Sequence, residues 1–291
     1  MQDLLELAVS ATASGCVYGL IALAYLLMIR PTGIINFAVG EWAMVAAFGG
    51  HLLLSRYEWN YALGMAVVVA FMLVVGWGTE RLAVRPLVAG GAPILAPILA
   101  LLGVLVITRE IISVSFPPDP LPVASPFGYG RLEIAGIGGS YQNLFMIAVT
   151  LGVFGAAWFF FEKTLWGKSF EAVALNRRAA ALMGINLSRV TALSFAGGAG
   201  AAAFAGLLVS PNISAHYLMG VPLAIQGFTA LVIGGVGRVQ GALLGGLLLA
   251  FAEQLTARYA PIPSGYTQGV PLLFLMIFLL VRPTGLLKAR A

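Results

Sequence analysis

Charged residues are scarce in this chain, and cysteine and histidine are almost absent. Only 9% of the 291 residues are Asp, Glu, Lys or Arg, whereas 60% are hydrophobic. A soluble domain has about 25% charged residues, so the chain lacks the polar surface that a water-soluble protein of this length requires. One cysteine, Cys16, excludes a disulfide within the chain and a cysteine metal cluster. With only two histidines and no clustered carboxylates, we expect no catalytic or metal-ligating residues.

Long apolar runs fill most of the sequence. Because a bilayer core takes about 20 apolar residues per helix, they predict an all-α integral membrane protein with about 8–9 transmembrane helices in one domain, residues 1–291. The predicted spans are 6–29, 33–54, 60–80, 92–113, 143–161, 189–210, 222–237, 240–257 and 266–281. The run 222–237 is short, and it either crosses the membrane fully or forms a re-entrant segment.

The distribution of basic residues predicts the orientation, because cytoplasmic loops carry an excess of Lys and Arg. An external N-terminus and a cytoplasmic C-terminus leave twelve of the 16 basic residues inside. The four left outside are Arg56, Arg109, Arg131 and Arg258. The basic residues form no single stripe, so we expect no nucleic acid partner. Two long loops remain, an external one at 114–142 and a cytoplasmic one at 162–188.

The cytoplasmic loop contains a predicted short helix. Asn176 is a favourable N-cap and Gly184 is a favourable residue after the C-terminus, so the helix runs from Arg177 to Met183. Four apolar residues fall on one face by their 3.6-residue spacing: Leu175, Ala179, Leu182 and Met183. A helix this short is marginal alone in water. It therefore docks either into a groove of a soluble partner or onto lipid headgroups as an amphipathic connector.

Glu41 lies inside the second apolar run, close to Asn36 and Gly40. A carboxylate in hydrocarbon costs about 2.5 kcal/mol or more and is by default a candidate for function. The preceding Arg-Pro-Thr-Gly at 30–33 interrupts the helix, and transporter sites are often built at such breaks. Glu41 either contacts the substrate, or it bonds Asn36 or nearby backbone. The second candidates for the pathway are Gln226 and Thr229 on the short span.

Five segments resemble, in the same order, the permeases of branched-chain amino acid (Liv-type) ABC transporters. They are 19–48, which contains Ile-Asn-Phe-Ala-Val-Gly-Glu, and 84–103, 167–211, 227–255 and 279–287. The resemblance covers most of the chain apart from the external loop. Ordered agreement of several segments is far more specific than any single motif.

The resemblance implies that the short cytoplasmic helix is the coupling helix, which carries an EAA-x3-G pattern in ABC importers. The matching stretch is 178–184, and Arg178 stands where the pattern has Glu. The coupling residues expected are Glu171, Asn176, Arg177, Arg178, Ala179, Leu182, Met183 and Gly184. The pathway residues expected are Asn36, Gly40, Glu41, Gln226 and Thr229.

The resemblance also implies a complex in the bacterial inner membrane. Its members are a second permease (a related chain or a second copy), two cytoplasmic ATPases that bind ATP and Mg, and a periplasmic or surface solute-binding protein. The chain itself is then expected to hold no cofactor and not to be an enzyme. The implied substrates are branched-chain or other amino acids, urea and short amides, among which the sequence does not choose.

Two functions of other classes compete with this interpretation. An ion-coupled secondary transporter would use Glu41 and Glu253 as proton or sodium sites, and it would need no ATPase. An intramembrane enzyme ranks last, because no nucleophile–base pair, zinc set or aspartyl pair stands out in the sequence.

Overall fold

The computed structural model describes residues 2–128, 130–134, 137–259, 269–282 and 285–287, and most of them are helical. The helices are α1 Gln2–Thr32, α2 Val39–Gly50, α3 Tyr61–Thr79, α4 Arg85–Ala89, α5 Leu95–Ser115, α6 Tyr141–Lys163, α7 Leu165–Leu175, α8 Arg177–Leu182, α9 Leu187–Ile213, α10 Gly220–Gly234, α11 Val239–Tyr259 and α12 Val270–Val281. Two π-helical segments, His51–Arg56 and Glu80–Val84, continue α2 and α3. A hairpin of β1 Arg131–Ile134 and β2 Ile137–Ser140 lies between α5 and α6.

Within the part of the chain that the structure describes, six helices are long and apolar enough to cross a membrane, which confirms the predicted polytopic helical fold. They are Leu5–Thr32, Tyr61–Ala89, Leu95–Ser115, Tyr141–Lys163, Leu187–Ile213 and Val239–Tyr259. The three other predicted spans correspond to the shorter helices α2, α10 and α12. The predicted span 33–54 is wrong at its start, because residues 33–38 are not helical and α2 begins at Val39.

The centre of the bundle is formed by α1 and α9, which are largely buried, whereas α5 and α6 expose most of their apolar side chains. Small residues allow this central packing, as is usual between membrane helices. A Cβ atom added at Gly206 of α9 would overlap the backbone of Ala43 in α2. One added at Gly76 of α3 would overlap the carbonyl oxygen of Phe195 in α9.

Two long helices are each followed by a non-helical stretch and then by a short helix. Residues 33–38 connect α1 to α2, and residues 214–219 connect α9 to α10. The predicted helix break at 30–33 is confirmed, since α1 ends at Thr32 and Gly33 has a φ of +69°, which favours glycine. At the second break, Ser214 has a φ of +62° although it carries a side chain.

The first turns of the two short helices meet. A Cβ atom added at Gly40, in the first turn of α2, would overlap the carbonyl oxygen of Gly220, where α10 begins. It would also come within 2.8 Å of the Cβ of Ala224. The N-terminal ends of α2 and α10 therefore pack backbone against backbone.

This meeting point lies well inside the bundle. At the far end of α2, His51 Nδ1 is 2.7 Å from the carbonyl oxygen of Pro122. The neighbouring Leu121 forms a β-bridge with Ala215. After α9, residues 214–219 therefore turn back into the bundle at the level of His51, and they lead to Gly220, which lies beside the beginning of α2. Because α2 rises about 16 Å from Gly40 to His51, both short helices begin well inside the bundle and not at the level of His51.

Candidate functional site

The buried carboxylate of Glu41 lies where α2 and α10 meet. It forms an ion pair and hydrogen bond with the guanidinium of Arg109 in α5, and the side chains are 1% and 26% exposed, respectively. The carboxylate also lies against Gly220. Helix N-termini carry a partial positive charge, so the first turns of both short helices stabilise an ionised Glu41.

Both members of this pair keep unused hydrogen-bonding atoms. Within the described part of the chain, Glu41 Oε2 and Arg109 Nε are buried and have no hydrogen-bond partner. A guanidinium offers five N–H donors and a carboxylate about four acceptor positions. The pair therefore has spare hydrogen-bonding capacity, which a further group can reach only when the surrounding side chains move, because both atoms are shielded from solvent.

The structure corrects two expectations about this pair. Arg109 does not lie outside the membrane: it lies within α5, at the level of Glu41. Asn36 does not bond Glu41, because its Oδ1 accepts from the backbone N–H of Ala38 at 2.9 Å and its Nδ2 lies 3.5 Å from Met28 Sδ. Sequence reasoning missed Arg109 as a partner, although a basic residue inside the predicted span 92–113 was a signal that an acidic group faces it.

An apolar cavity of about 220 Å³ lies between α5, α10 and α12, and neither Glu41 nor Arg109 is among its lining residues. It is bounded by Phe37, by Leu105 of α5, by Leu272 of α12 and by α10, which contributes Val221 and Phe228 among other residues. Its surface is almost entirely apolar, so it suits an aliphatic group rather than a charged one.

The structure places the two second candidates for the pathway, Gln226 and Thr229, in different surroundings. Thr229 lines the cavity, and its buried hydroxyl has no hydrogen-bond partner among the described residues. Gln226 instead donates to Glu253 Oε1 at 3.2 Å. Glu253 Oε2 accepts a further hydrogen bond from the Tyr18 hydroxyl at 2.7 Å. Gln226 thus belongs to a polar cluster between α1, α10 and α11 and not to the cavity.

The loop 162–188, predicted to be cytoplasmic, is structured, and its predicted helix caps are confirmed. The Asn176 side chain accepts hydrogen bonds from the N–H groups of Arg178 and Ala179, both at 3.0 Å. The helix, α8, ends at Leu182, and Gly184 follows with a φ of +82°. Glu171 lies on the preceding α7, 3.4 Å from Lys168 Nζ.

Three large apolar side chains, one in α8 and two next to its ends, point away from the rest of the chain. Leu175, Leu182 and Met183 are 77%, 89% and 83% exposed, respectively. Ala180, on the opposite face, is buried. This face of α8 is open to a partner.

A second buried carboxylate, which sequence reasoning also missed, joins α3 to α9. Glu80 is 2% exposed, begins the π-helical segment Glu80–Val84, and accepts a hydrogen bond from the Thr191 hydroxyl at 2.9 Å. Thr191 lies in the first turns of α9, shortly after α8. Glu80 is the last residue of the predicted span 60–80. Because a charged residue at the end of a span is expected to face the membrane surface, its burial was not predicted.

The apolar spanning helices, the two interrupted helices and the buried ion pair define a polytopic helical membrane protein. A family model described as "Branched-chain amino acid transport system / permease component" matches residues 7–280. The chain belongs to this family, and the resemblance predicted from its sequence is confirmed.

Two curated relatives match nearly the whole chain, and a third matches less than half of it. The high-affinity branched-chain amino acid transport system permease protein BraD of Pseudomonas aeruginosa is 30% identical, over 97% of this chain and 95% of that protein. The corresponding permease protein LivH of Escherichia coli is 29% identical, over 94% of this chain and 92% of that protein. The ribose import permease protein RbsC of Haemophilus influenzae is 30% identical over 46% of this chain.

Among solved structures, PsaBC from Streptococcus pneumoniae in complex with Fab is similar in fold. The TM-score is 0.51, and the match covers 94% of this chain and 91% of that chain. Only 11% of the residues are identical, so the likeness concerns the fold alone.

Proposed function

We propose that this chain is the membrane-spanning permease subunit of an ABC importer that translocates branched-chain amino acids. The match of residues 7–280 to the family of branched-chain amino acid permeases carries the proposal. ATP is hydrolysed by separate subunits, since the sequence contains no Walker A motif. The chain itself acts as a transport subunit and not as an enzyme.

The partners that complete the importer are a second permease, two cytoplasmic ATPases that hold ATP and Mg, and an external solute-binding protein. The second permease is a related chain or a second copy. The proposed location is the bacterial inner membrane, with the N-terminus outside and the C-terminus in the cytoplasm. The excess of basic residues in the inner loops supports this orientation.

In this proposal α8 is the helix that docks onto the ATPase. The exposure of Leu182 and Met183 supports it, because apolar side chains in a cytoplasmic loop favour burial against a partner. Asn176 and Gly184 hold the ends of the helix, and Arg177 and Arg178 lie at its start. A connector lying on lipid headgroups remains the alternative for this loop.

The test is uptake of radiolabelled leucine by proteoliposomes that contain the complete complex. We expect uptake that requires ATP, both ATPases and the solute-binding protein. Proteoliposomes without ATPases, given a proton or sodium gradient, provide the contrast. Gradient-driven uptake by them would contradict the proposal and favour an ion-coupled secondary transporter using Glu41 and Glu253.

A further inference from the structure

The ion pair and the apolar cavity have neighbouring residues in common, although neither Glu41 nor Arg109 lines the cavity itself. Leu105, which lines the cavity, lies one helical turn before Arg109 on α5. Val221, which also lines it, directly follows Gly220, and Gly220 lies against the Glu41 carboxylate. Charged and apolar surfaces thus meet where α2 and α10 begin.

The free atoms of the ion pair match the two charged groups of an α-amino acid. Buried Arg109 Nε donates to nothing among the described residues, and buried Glu41 Oε2 accepts from nothing there. An α-carboxylate can accept from the guanidinium while the neighbouring α-ammonium donates to the carboxylate. These charge-assisted hydrogen bonds are the stronger kind.

Net charge favours a zwitterion over any singly charged solute at this position. The Glu41–Arg109 pair is neutral as a whole, and a zwitterion bound to it leaves the site neutral. A bound amine or a bound carboxylate would instead leave one uncompensated charge inside the membrane, which is costly.

The cavity has the size and surface for a branched aliphatic side chain. Its volume is about 220 Å³, and its lining is apolar. An apolar protein cavity of about 150 Å³ accepts benzene, which has six carbon atoms. A four-carbon side chain such as that of leucine therefore fits beside Leu105 and Val221.

We propose that Glu41, Arg109 and this cavity form the site that holds the amino acid during translocation. Arg109 binds the α-carboxylate, Glu41 binds the α-ammonium, and the branched side chain enters the cavity between α5, α10 and α12. The inference rests on the proposed function, because it assigns a site to the amino acid that the importer carries.

The experiment measures binding to the purified complex in nanodiscs, without the solute-binding protein. The probes are leucine, isoamylamine, which lacks the carboxylate, and 4-methylpentanoate, which lacks the amine. We expect the wild-type complex to bind leucine at least about tenfold more tightly than either analogue, given the strength of hydrogen bonds to charged groups. Equal binding of all three compounds by the wild type would overturn the proposed site.

Two substitutions assign the charged contacts individually. Arg109→Gln should abolish the preference for leucine over isoamylamine, and Glu41→Gln should abolish the preference for leucine over 4-methylpentanoate. A structural role predicts another result, in which both variants bind the three compounds more weakly by one common factor. That result would overturn the assignment of Arg109 to the α-carboxylate and of Glu41 to the α-ammonium. If a variant does not fold, the binding of the three compounds by the wild-type complex still tests the site.

A matched pair of substitutions on α5 tests the cavity. Leu105→Phe fills it and should weaken leucine binding relative to alanine binding by at least about tenfold. Val106→Phe places the same side chain at a 55% exposed position next to it and should leave the ratio unchanged. An unchanged ratio in both variants would remove the cavity from the site.

Uptake by proteoliposomes that contain the same purified complex, with the solute-binding protein added, separates this inference from the proposed function. ATP-dependent leucine uptake together with equal binding of leucine and its two analogues would overturn the site alone. A complete complex that takes up no branched-chain amino acid would overturn the proposed function.

Discussion

Gly40 of α2 and Gly220 of α10 approach so closely that a Cβ atom on Gly40 would overlap the Gly220 carbonyl oxygen. Because both sides of this contact are backbone, neither can move aside easily. The two glycines therefore set the distance between the short helices, and with it the position of Glu41, which follows Gly40 directly.

We expect Gly40→Ala to lower the stability of the complex by about 1–3 kcal/mol, as overpacked cores do. The control is Gly152→Ala on α6, where an added Cβ atom meets nothing within 4 Å. Thermal unfolding of the detergent-solubilised complex, followed by tryptophan fluorescence, compares the two variants. Equal melting temperatures would show that the contact between α2 and α10 tolerates a side chain.

We expect Glu41→Ala to lower leucine uptake more than it lowers the amount of protein in the membrane. Part of any loss of protein should come from the unpaired charge of Arg109, which is largely buried. The double variant Glu41→Gln/Arg109→Gln removes both charges, so expression should recover while uptake stays low. Quantitative immunoblotting and uptake in the same cells measure both. Recovery of uptake in the double variant would show that the Glu41–Arg109 pair serves packing and is not needed for transport.

Gly184 provides a test of the coupling helix. Its φ of +82° is unfavourable for a β-branched residue but tolerated by asparagine. Gly184→Val should therefore uncouple ATP hydrolysis from uptake, whereas Gly184→Asn should retain most of the coupling. The readout is the number of ATP molecules hydrolysed per leucine imported. Equal coupling in the two variants would favour the alternative that α8 is a connector lying on lipid headgroups.

Charge reversal at the start of α8 tests the same contact independently. Arg177→Glu/Arg178→Glu should weaken binding of the ATPases, because both residues lie at the beginning of the helix whose apolar face is open. Co-purification of the ATPases with the permease measures this. Reversal at Arg56, the last residue of the π-helical segment His51–Arg56, serves as the control.

The hydrogen bond from Thr191 to Glu80 joins α9 to the π-helical segment after α3. Thr191→Val keeps the shape of the side chain but leaves the buried carboxylate without this donor, at a cost of about 1–3 kcal/mol. Thr191→Ser keeps the hydroxyl and should cost less. Chemical denaturation of the purified permease distinguishes them. A Val variant as stable as the Ser variant would mean that Glu80 finds another donor.

Cysteine labelling tests the orientation. In a Cys16→Ala background, a cysteine at position 3 should react with a membrane-impermeant maleimide in intact cells. A cysteine at position 290 should react only after the membrane is opened. Cys16 is buried, and its replacement by alanine removes only the sulfur atom, so that the introduced cysteine is the only thiol of the chain. Labelling of position 290 from outside would reverse the predicted topology.

Sequence patterns predicted the elements of this fold that local chemistry determines. The apolar runs predicted membrane helices, Asn176 and Gly184 predicted the ends of α8, and Pro31 with Gly33 predicted the end of α1. Each of these signals is contained in a few consecutive residues. The non-helical stretch 33–38 was missed because its residues are as apolar as those of a spanning helix.

The pairings within the candidate site depend on contacts between distant parts of the chain. Glu41 and Arg109 are 68 positions apart, and Glu80 and Thr191 are 111 apart. Glu41 could be singled out from the sequence because a lone carboxylate in hydrocarbon is costly. Arg109 inside the span 92–113 was a signal for an acidic partner, but which acidic residue it meets depends on how α2 and α5 pack.

The long helix α9 mechanically joins the two regions that the function requires. It begins at Leu187, just after α8, and spans about 40 Å to Ile213, where the stretch leading to Gly220 starts. The helix is buried along most of its length, and Gly206, about three quarters of the way along, lies against the backbone of Ala43. If α8 docks onto an ATPase as proposed, a displacement of α8 is passed along this packed helix to the stretch before α10, and Gly220 shifts relative to Glu41.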